Sequence, residues 1–292
     1  MKLTSEFVGT TLKEYACIVS ARSSMNYAAA IGDANPLYFN DESPEGIIAP
    51  PLFPVAITWP IIAKITDYIQ AEGFPKEILF TQVHYTEHLL IHRPVKPGDN
   101  LIIRGAIAAI LPHKAGTHVV IRFDAIDADG SIIFTEHIGA MMRGVECTDG
   151  GKGAEHIPAH LRQKEDLPVL WESIIPIDPL APFIYDGCTN IHFPIHTSVK
   201  FARQVGLLGI IHQGTSTLAL AVHCLLNREA GGNPHRLTSV YCRFTGMVLP
   251  GTVIKVCLTG KNTSDGGIDL FFHVLNAEEK RAISDGYIRL KT

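Results

Sequence analysis

Tryptophan occurs only twice in the 292 residues, and the six cysteines include no CxxC pair. Without that spacing, zinc knuckles and redox dithiols are excluded. Cys17, Cys147, Cys188, Cys224, Cys242 and Cys257 sit mostly among apolar neighbours and read as free thiols rather than a disulfide framework. Basic residues are not in excess: 25 Lys and Arg face 29 Asp and Glu, a formal net charge of −4. With no basic stripe, nucleic acid is not an expected partner. Pro or polar residues break every apolar run short of a membrane span, and Met1 to Gly9 carries no apolar core of a secretory signal. The chain reads as cytoplasmic, with no membrane contact. What is there is ample apolar material, 46% against 18% charged, in a chain long enough for two ordinary domains.

The pattern along the chain supports that division. Leu12 to Val19 reads as a strand, and Ser23-Ser24 as the cap of a helix through Ala28 to Ile31. The turn formers of IGDANPLYFND end that helix. An apolar run then extends to Ile69, with Pro60 placed to kink a helix there. Four alternating segments follow, Ile78 to His92, Asn100 to Leu111, Thr117 to Ala128 and Ser131 to Val145, punctuated by Pro97-Gly98, His113 to Gly116 and Asp129-Gly130. A helix followed by an antiparallel meander predicts a curved sheet wrapped around a helix. Residues 148–168, glycine-rich and then charged as far as Asp166, read as a linker.

The second half repeats the plan. Its strands are expected at Leu170 to Ile175, Leu237 to Val248, Thr252 to Gly260, Ile268 to Leu275 and Ala282 to Leu290. Gly46-Ile47-Ile48 recurs as Gly209-Ile210-Ile211, Val95-Lys96-Pro97-Gly98 as Val248-Leu249-Pro250-Gly251, and Pro36-Leu37-Tyr38 as Pro194-Ile195-His196. This is a tandem duplication: an N-terminal domain over 1–147, the linker over 148–168, and a C-terminal domain over 169–292.

Polar groups crowd one stretch, Phe183 to Leu218. Pro194-Ile195-His196 follows a turn-rich run, and His212-Gln213-Gly214-Thr215 precedes an apolar run with helical spacing, Leu218 to Leu226. A helix opening at Gly214-Thr215 points free N–H groups at whatever lies before it, which favours an anionic oxygen. An imidazole facing such a site has the makings of acid–base chemistry near neutral pH.

GDANPLY in the first half, PIHTSVKFA and HQGT in the second, and RFTGMVLPGT at 243–252 resemble the MaoC-like family of double hot-dog enoyl-CoA hydratases and 3-hydroxyacyl thioester dehydratases, over nearly the whole chain. The resemblance implies an α+β tandem hot-dog, two antiparallel sheets each wrapped around a central helix. It also implies interconversion of 2-enoyl-CoA and 3-hydroxyacyl-CoA thioesters in fatty acid metabolism. No cofactor or metal is implied, and the partner is an acyl-CoA or other acyl thioester. Position by position, His196 falls on the family's catalytic His. Gly214, 18 residues on, falls on the Gly whose N–H binds the thioester oxygen. The first half has Tyr38 and Pro51 at those places, so it is expected to supply pocket walls, with Phe53 and Trp59 among them.

The family's Asp, five residues before the His, falls on Ile191, and its Asn on Phe193. If the loop carries one extra residue, Asn190 takes the polar position, with Asp186 and His192 as further candidates, and Thr215 joins the substrate-binding set. Two other functions compete: a catalytically degenerate acyl-CoA-binding protein or partner subunit, in which His196 is a satisfied loop residue, and an acyl-CoA thioesterase. His84-Tyr85-Thr86-Glu87-His88 matches the H-x-x-E-H zinc pattern, but that pattern requires a helix and its setting here reads as a strand. Cys188 has no third group to make it a nucleophile and is expected to pack. His212 either lines the pocket or packs. A double hot-dog is already a pseudo-dimer, so a monomer or a homodimer is expected.

Overall fold

The computed structural model describes residues 1–163, 167–264 and 266–292. The first half supplies strands β1 (Tyr15–Ile18), β2 (Gln82–Ile91), β3 (Asn100–His113), β4 (Gly116–Ile126) and β5 (Ile132–Arg143). The second supplies β6 (Trp171–Pro176), β7 (Leu237–Phe244), β8 (Val253–Ser264), β9 (Gly267–Leu275) and β10 (Arg281–Leu290). They form one ten-stranded sheet in the order β1-β3-β4-β5-β2-β7-β10-β9-β8-β6. Each run of five strands has the same internal order, and the two runs meet where β2 pairs antiparallel with β7, Glu87 opposite Cys242 and Leu89 opposite Val240. The two sheets expected from the sequence are therefore joined edge to edge, which leaves no exposed edge at the centre.

Two glycines mark the repeat. Gly116 (φ +148°) and Gly267 (φ +146°) open β4 and β9, and a side chain at either would run into a neighbouring carbonyl, that of Met142 or of Leu290. Only glycine tolerates both the backbone angle and the approach.

The main helices are α1 (Ala21–Ala30), α2 (Phe53–Ala63), α3 (Ala181–Thr189), α4 (Val199–Gln204) and α5 (Gly214–Glu229). The cap of α1 is Ser20 rather than Ser23-Ser24. Ser20 holds the extended conformation and its hydroxyl accepts the Ser23 N–H at 3.0 Å, whereas Ser24 is buried against the Ile48 carbonyl. Helix α2 runs through Pro60, and the break falls at Lys64, before a further turn at Ile65–Tyr68. In α5, Leu218, Ala221, Val222 and Leu225 are buried at i, i+3, i+4, i+7 spacing against a single core that both halves share. At its centre Tyr27 of α1 and Tyr185 of α3 occupy equivalent places, with their hydroxyls 3.2 Å apart.

The linker lies along the sheet. Asp149 accepts hydrogen bonds from the Ser5 amide and hydroxyl, Lys152 pairs with Ile110, the His160 ring stacks 3.4 Å from Tyr241, and Gln163 exchanges two hydrogen bonds with Thr259. Its charged end, 164–166, lies outside the described residues.

Candidate functional site

Pro194 opens a single 3-10 turn, Pro194–His196, that ends α3's connection to α4. The fixed φ of proline at the first position favours that turn. The turn presents His196 to the loop entering α5, where its Nδ1 lies 2.9 Å from the Ile211 carbonyl. A carbonyl only accepts, so Nδ1 carries the proton and Nε2 keeps its lone pair. Burial lowers the His196 pKa below its ordinary value, the Ile211 bond opposing in part, so the ring is neutral near pH 7 and can act as a base.

That same loop ends in open donors. The first α5 amide to find an acceptor is Thr217, bonded to the Gln213 carbonyl, and no described residue accepts from Gly214, Thr215 or Ser216. The first half differs at the equivalent place. There the amides of Phe53 and Val55 are bonded to the Pro50 and Leu52 carbonyls, and Pro51 and Pro54 have none. Of these two helices, α5 is the one that opens with consecutive unpaired amides, the arrangement that suits an anionic oxygen. Gly214 also packs on Phe244, whose ring a Cβ would meet at 3.0 Å.

Both ring nitrogens of His212 and Gln213 Oε1, around these donors, are buried without a hydrogen-bond partner, while the Thr215 hydroxyl is directed at that of Tyr185. His212 is 3% exposed, and burial, with a smaller contribution from His196, lowers its pKa to about 4. Gln213 is anchored through Nε2 to the Pro182 carbonyl at 2.9 Å.

The other residues singled out in the sequence are placed as follows. Ile191 is buried in the core. Asn190 adopts the left-handed conformation (φ +58°), caps α3 through a bond from its amide to the Asp186 carbonyl, and is exposed. His192 is exposed, with Nδ1 3.0 Å from the Asn190 carbonyl. Asp186 has one buried, unpartnered carboxylate oxygen, and burial raises its pKa. Trp59 donates to the His192 carbonyl, which brings α2 of the first half against this loop. Phe53 is in the core, edge-on to Tyr27. Asn190 and His192 thus face outward, while His196, His212, Gly214 and Thr215 gather at the start of α5.

The H-x-x-E-H stretch is strand. His84 faces the helices and His88 the opposite side, against His160 and Ser239. Among the described residues no group of three or more His, Cys, Asp or Glu is arranged to hold a metal ion. Likewise no helix among them is long and apolar enough to cross a membrane.

Comparison with known proteins gives two family matches. Residues 164–271 match the MaoC like domain, and residues 6–136 match the FAS1-like, dehydratase domain region. The chain carries a MaoC-like dehydratase domain in its second half and a FAS1-like dehydratase region in its first.

A peroxisomal multifunctional enzyme type 2 of Drosophila melanogaster is 23% identical over 281 residues, 94% of this MaoC-like chain but 46% of the fly protein. The chain therefore spans about half the length of that relative. Among solved structures, a MaoC-like dehydratase from Phytophthora capsici matches with a TM-score of 0.83 at 19% identity over 98% of each chain. A Mycobacterium tuberculosis protein described as a double hotdog matches at 0.59 and 14% identity, over 97% of this chain and 96% of that one. These likenesses establish the double hot-dog fold.

In this MaoC-like chain, reading the sequence missed a buried acidic cluster on the helix-facing side of the central strands. Glu87 and Glu136 are fully buried, and His84 Nε2 lies 3.1 Å from a Glu87 carboxylate oxygen. The His84 ring lies 4.6 Å from Phe244, the ring that covers Gly214. Two glutamates at apolar-facing strand positions were the signal available in the sequence.

Proposed function

We propose that the second half hydrates 2-enoyl thioesters and dehydrates 3-hydroxyacyl thioesters, the acyl group being carried by CoA. The observation that carries this reading is that one loop, 211–215, both holds His196 in its basic tautomer and leads into the unpaired amides of α5. In hydration, Nε2 of His196 takes a proton from water as the water oxygen bonds to C3. The C2=C3 electrons move toward the carbonyl, and charge builds on the thioester oxygen, where the Gly214 N–H accommodates it. The proton then returns to C2, so the reaction is neutral overall, and dehydration is its reverse. No redox cofactor is needed. The free thiols are compatible with a reducing compartment such as the cytoplasm.

The test is to follow the enoyl absorbance of a short-chain 2-enoyl-CoA. His196→Ala is expected to abolish hydration while thioester binding persists; unchanged turnover in that variant would refute the assignment. Thiol release without loss of the enoyl band would point to a thioesterase instead. The burial of Ile191 where the family has a carboxylate favours one further reading, a degenerate acyl-CoA-binding protein. Saturable thioester binding with no turnover in the native chain would establish that one.

A further inference from the structure

We propose that His212 does the work of the carboxylate lost at Ile191, accepting one hydrogen of the reacting water while His196 takes the other. This inference rests on the hydratase reading and adds a second histidine to it.

This loop lacks a carboxylate at Ile191. Orienting a water for addition requires acceptors for both of its hydrogens, so that an oxygen lone pair faces C3. Ile191 offers none, and Asn190, drawn outward by its role as a left-handed cap, is exposed. Of the remaining polar side chains, Asp186 has the exposed His192 as its charged neighbour, whereas His212 has His196 and belongs to the loop that holds it. Its neighbour Ile211 holds His196, its own amide is tied to the Val248 carbonyl at 2.8 Å, and Gly214 follows two residues later. The backbone on both sides of the ring is thus fixed, and the loop cannot easily turn it out to solvent.

The ring itself is unaccounted for. A buried imidazole with neither nitrogen bonded is destabilising relative to one with a partner, and such groups in native proteins are usually satisfied by water or a ligand. Here the unpartnered imidazole belongs to the loop that leads directly into the unpartnered amides of α5. Water and a thioester carbonyl together would complete them. Burial keeps the ring neutral, so one nitrogen is an acceptor at working pH. No proton is transferred to His212: the hydrogen it holds stays on the new 3-hydroxyl, and atoms balance as in the reaction above.

The experiment compares three variants of the full chain with crotonyl-CoA as probe, measuring kcat and KM separately alongside a thermal melt. His196→Ala reports on the underlying reading. His212→Leu removes the acceptor, and His212→Gln keeps one. The proposal expects kcat to fall by about 100-fold or more in His212→Leu, with KM little changed, and His212→Gln to recover at least a tenth of the native rate. Loss of activity in His196→Ala together with native turnover in His212→Leu overturns the proposal and leaves the hydratase reading standing. Equal losses in the folded Leu and Gln variants also overturn it, since they mark a steric role. Native turnover in His196→Ala removes the reading beneath it. Should His212→Leu fail to fold, 15N spectra of the histidine-labelled native chain decide instead. Butyryl-CoA is expected to shift two imidazole signals, assigned by their loss in His196→Ala and His212→Gln, and a shift at His196 alone refutes the role of His212.

Discussion

Trp59, on the central helix of the first half, donates its indole N–H to the backbone carbonyl of His192 in the loop of the second half, at 3.2 Å. The reciprocal contact joins the loop of the first half to the helix of the second. There His223 Nδ1 lies 2.7 Å from the Asp33 carboxylate, and Asn35 Nδ2 donates to the Gly232 carbonyl at 2.6 Å. Each loop is thus fastened to the other copy's helix. The GDANPLY loop keeps its Asp and Asn as fasteners: Asp33 also accepts the Asn35 amide, and Asn35 accepts the Leu37 amide that opens the turn at Pro36.

That arrangement makes the first prediction one of stability. The Asp33 side chain is 7% exposed and His223 is its partner across the halves. His223→Ala leaves a buried carboxylate short of a donor, and is expected to lower unfolding stability by roughly 1–3 kcal/mol, read as a shift of the urea midpoint at unchanged slope. A midpoint equal to that of the native chain would mean that water replaces the imidazole without cost.

The second concerns the amide at the head of α5. Gln213 sits at φ −61°, ψ 132°, the extended conformation that a following proline demands, and proline is well accepted at a helix's first position. Gly214→Pro therefore deletes one N–H while retaining the helix, as Pro51 and Pro54 do at the start of α2. The expected result is a drop in kcat on the order of 100-fold or more. Gly214→Ala is the control: it keeps the N–H and asks the Phe244 ring to yield by a few tenths of an ångström. If both variants lose activity equally, the packing on Phe244 is responsible rather than the donor.

How much of this was legible in the sequence follows from the range of the forces involved. Strand alternation, turn glycines and the start of α5 are local, so the duplicated hot-dog and the Gly214 helix could be read from the residues, and that Tyr38 is no base near neutral pH and Pro51 no N–H donor is a matter of their chemistry alone. The cap at Ser20 was displaced because two serines three residues further on offer the same side chain, and only backbone geometry separates them. The orphaned imidazole of His212 and the Glu87–Glu136 pair were not legible as a site. Their burial depends on β2 pairing with β7 and on α5 packing over both, contacts between residues far apart in the chain. The same holds for Asn190, whose outward direction is set by where α3 ends.

The third prediction is the pH dependence of the proposed reaction. Hydration needs His196 neutral. Its pKa is lowered by burial relative to the ordinary histidine value of about 6.5. Protonation therefore removes activity only at acid pH, and log kcat/KM is expected to be level around neutrality and to fall with an inflection below about 6.5. An inflection at or above the ordinary value would place the base elsewhere.

The fourth concerns the paired glutamates. Burial pushes Glu87 up to about 8, and burial together with the neighbouring Glu87 charge raises Glu136 well above the ordinary carboxyl range. Folding therefore favours the protonated carboxyls. The sign follows: their contribution to stability is fully present below the ordinary carboxyl pKa of about 4.3 and is lost as pH climbs through the raised folded values. Glutamine cannot ionise, and its amide keeps the size of the protonated acid. Glu136→Gln is thus expected to resemble the native chain near pH 4 and to exceed it in stability by pH 9, with a gap on the order of a few kcal/mol. Urea midpoints of the two proteins across that range provide the measurement. A gap that stays constant with pH would show that Glu136 ionises in the folded protein as readily as in the unfolded chain, and would overturn the raised pKa.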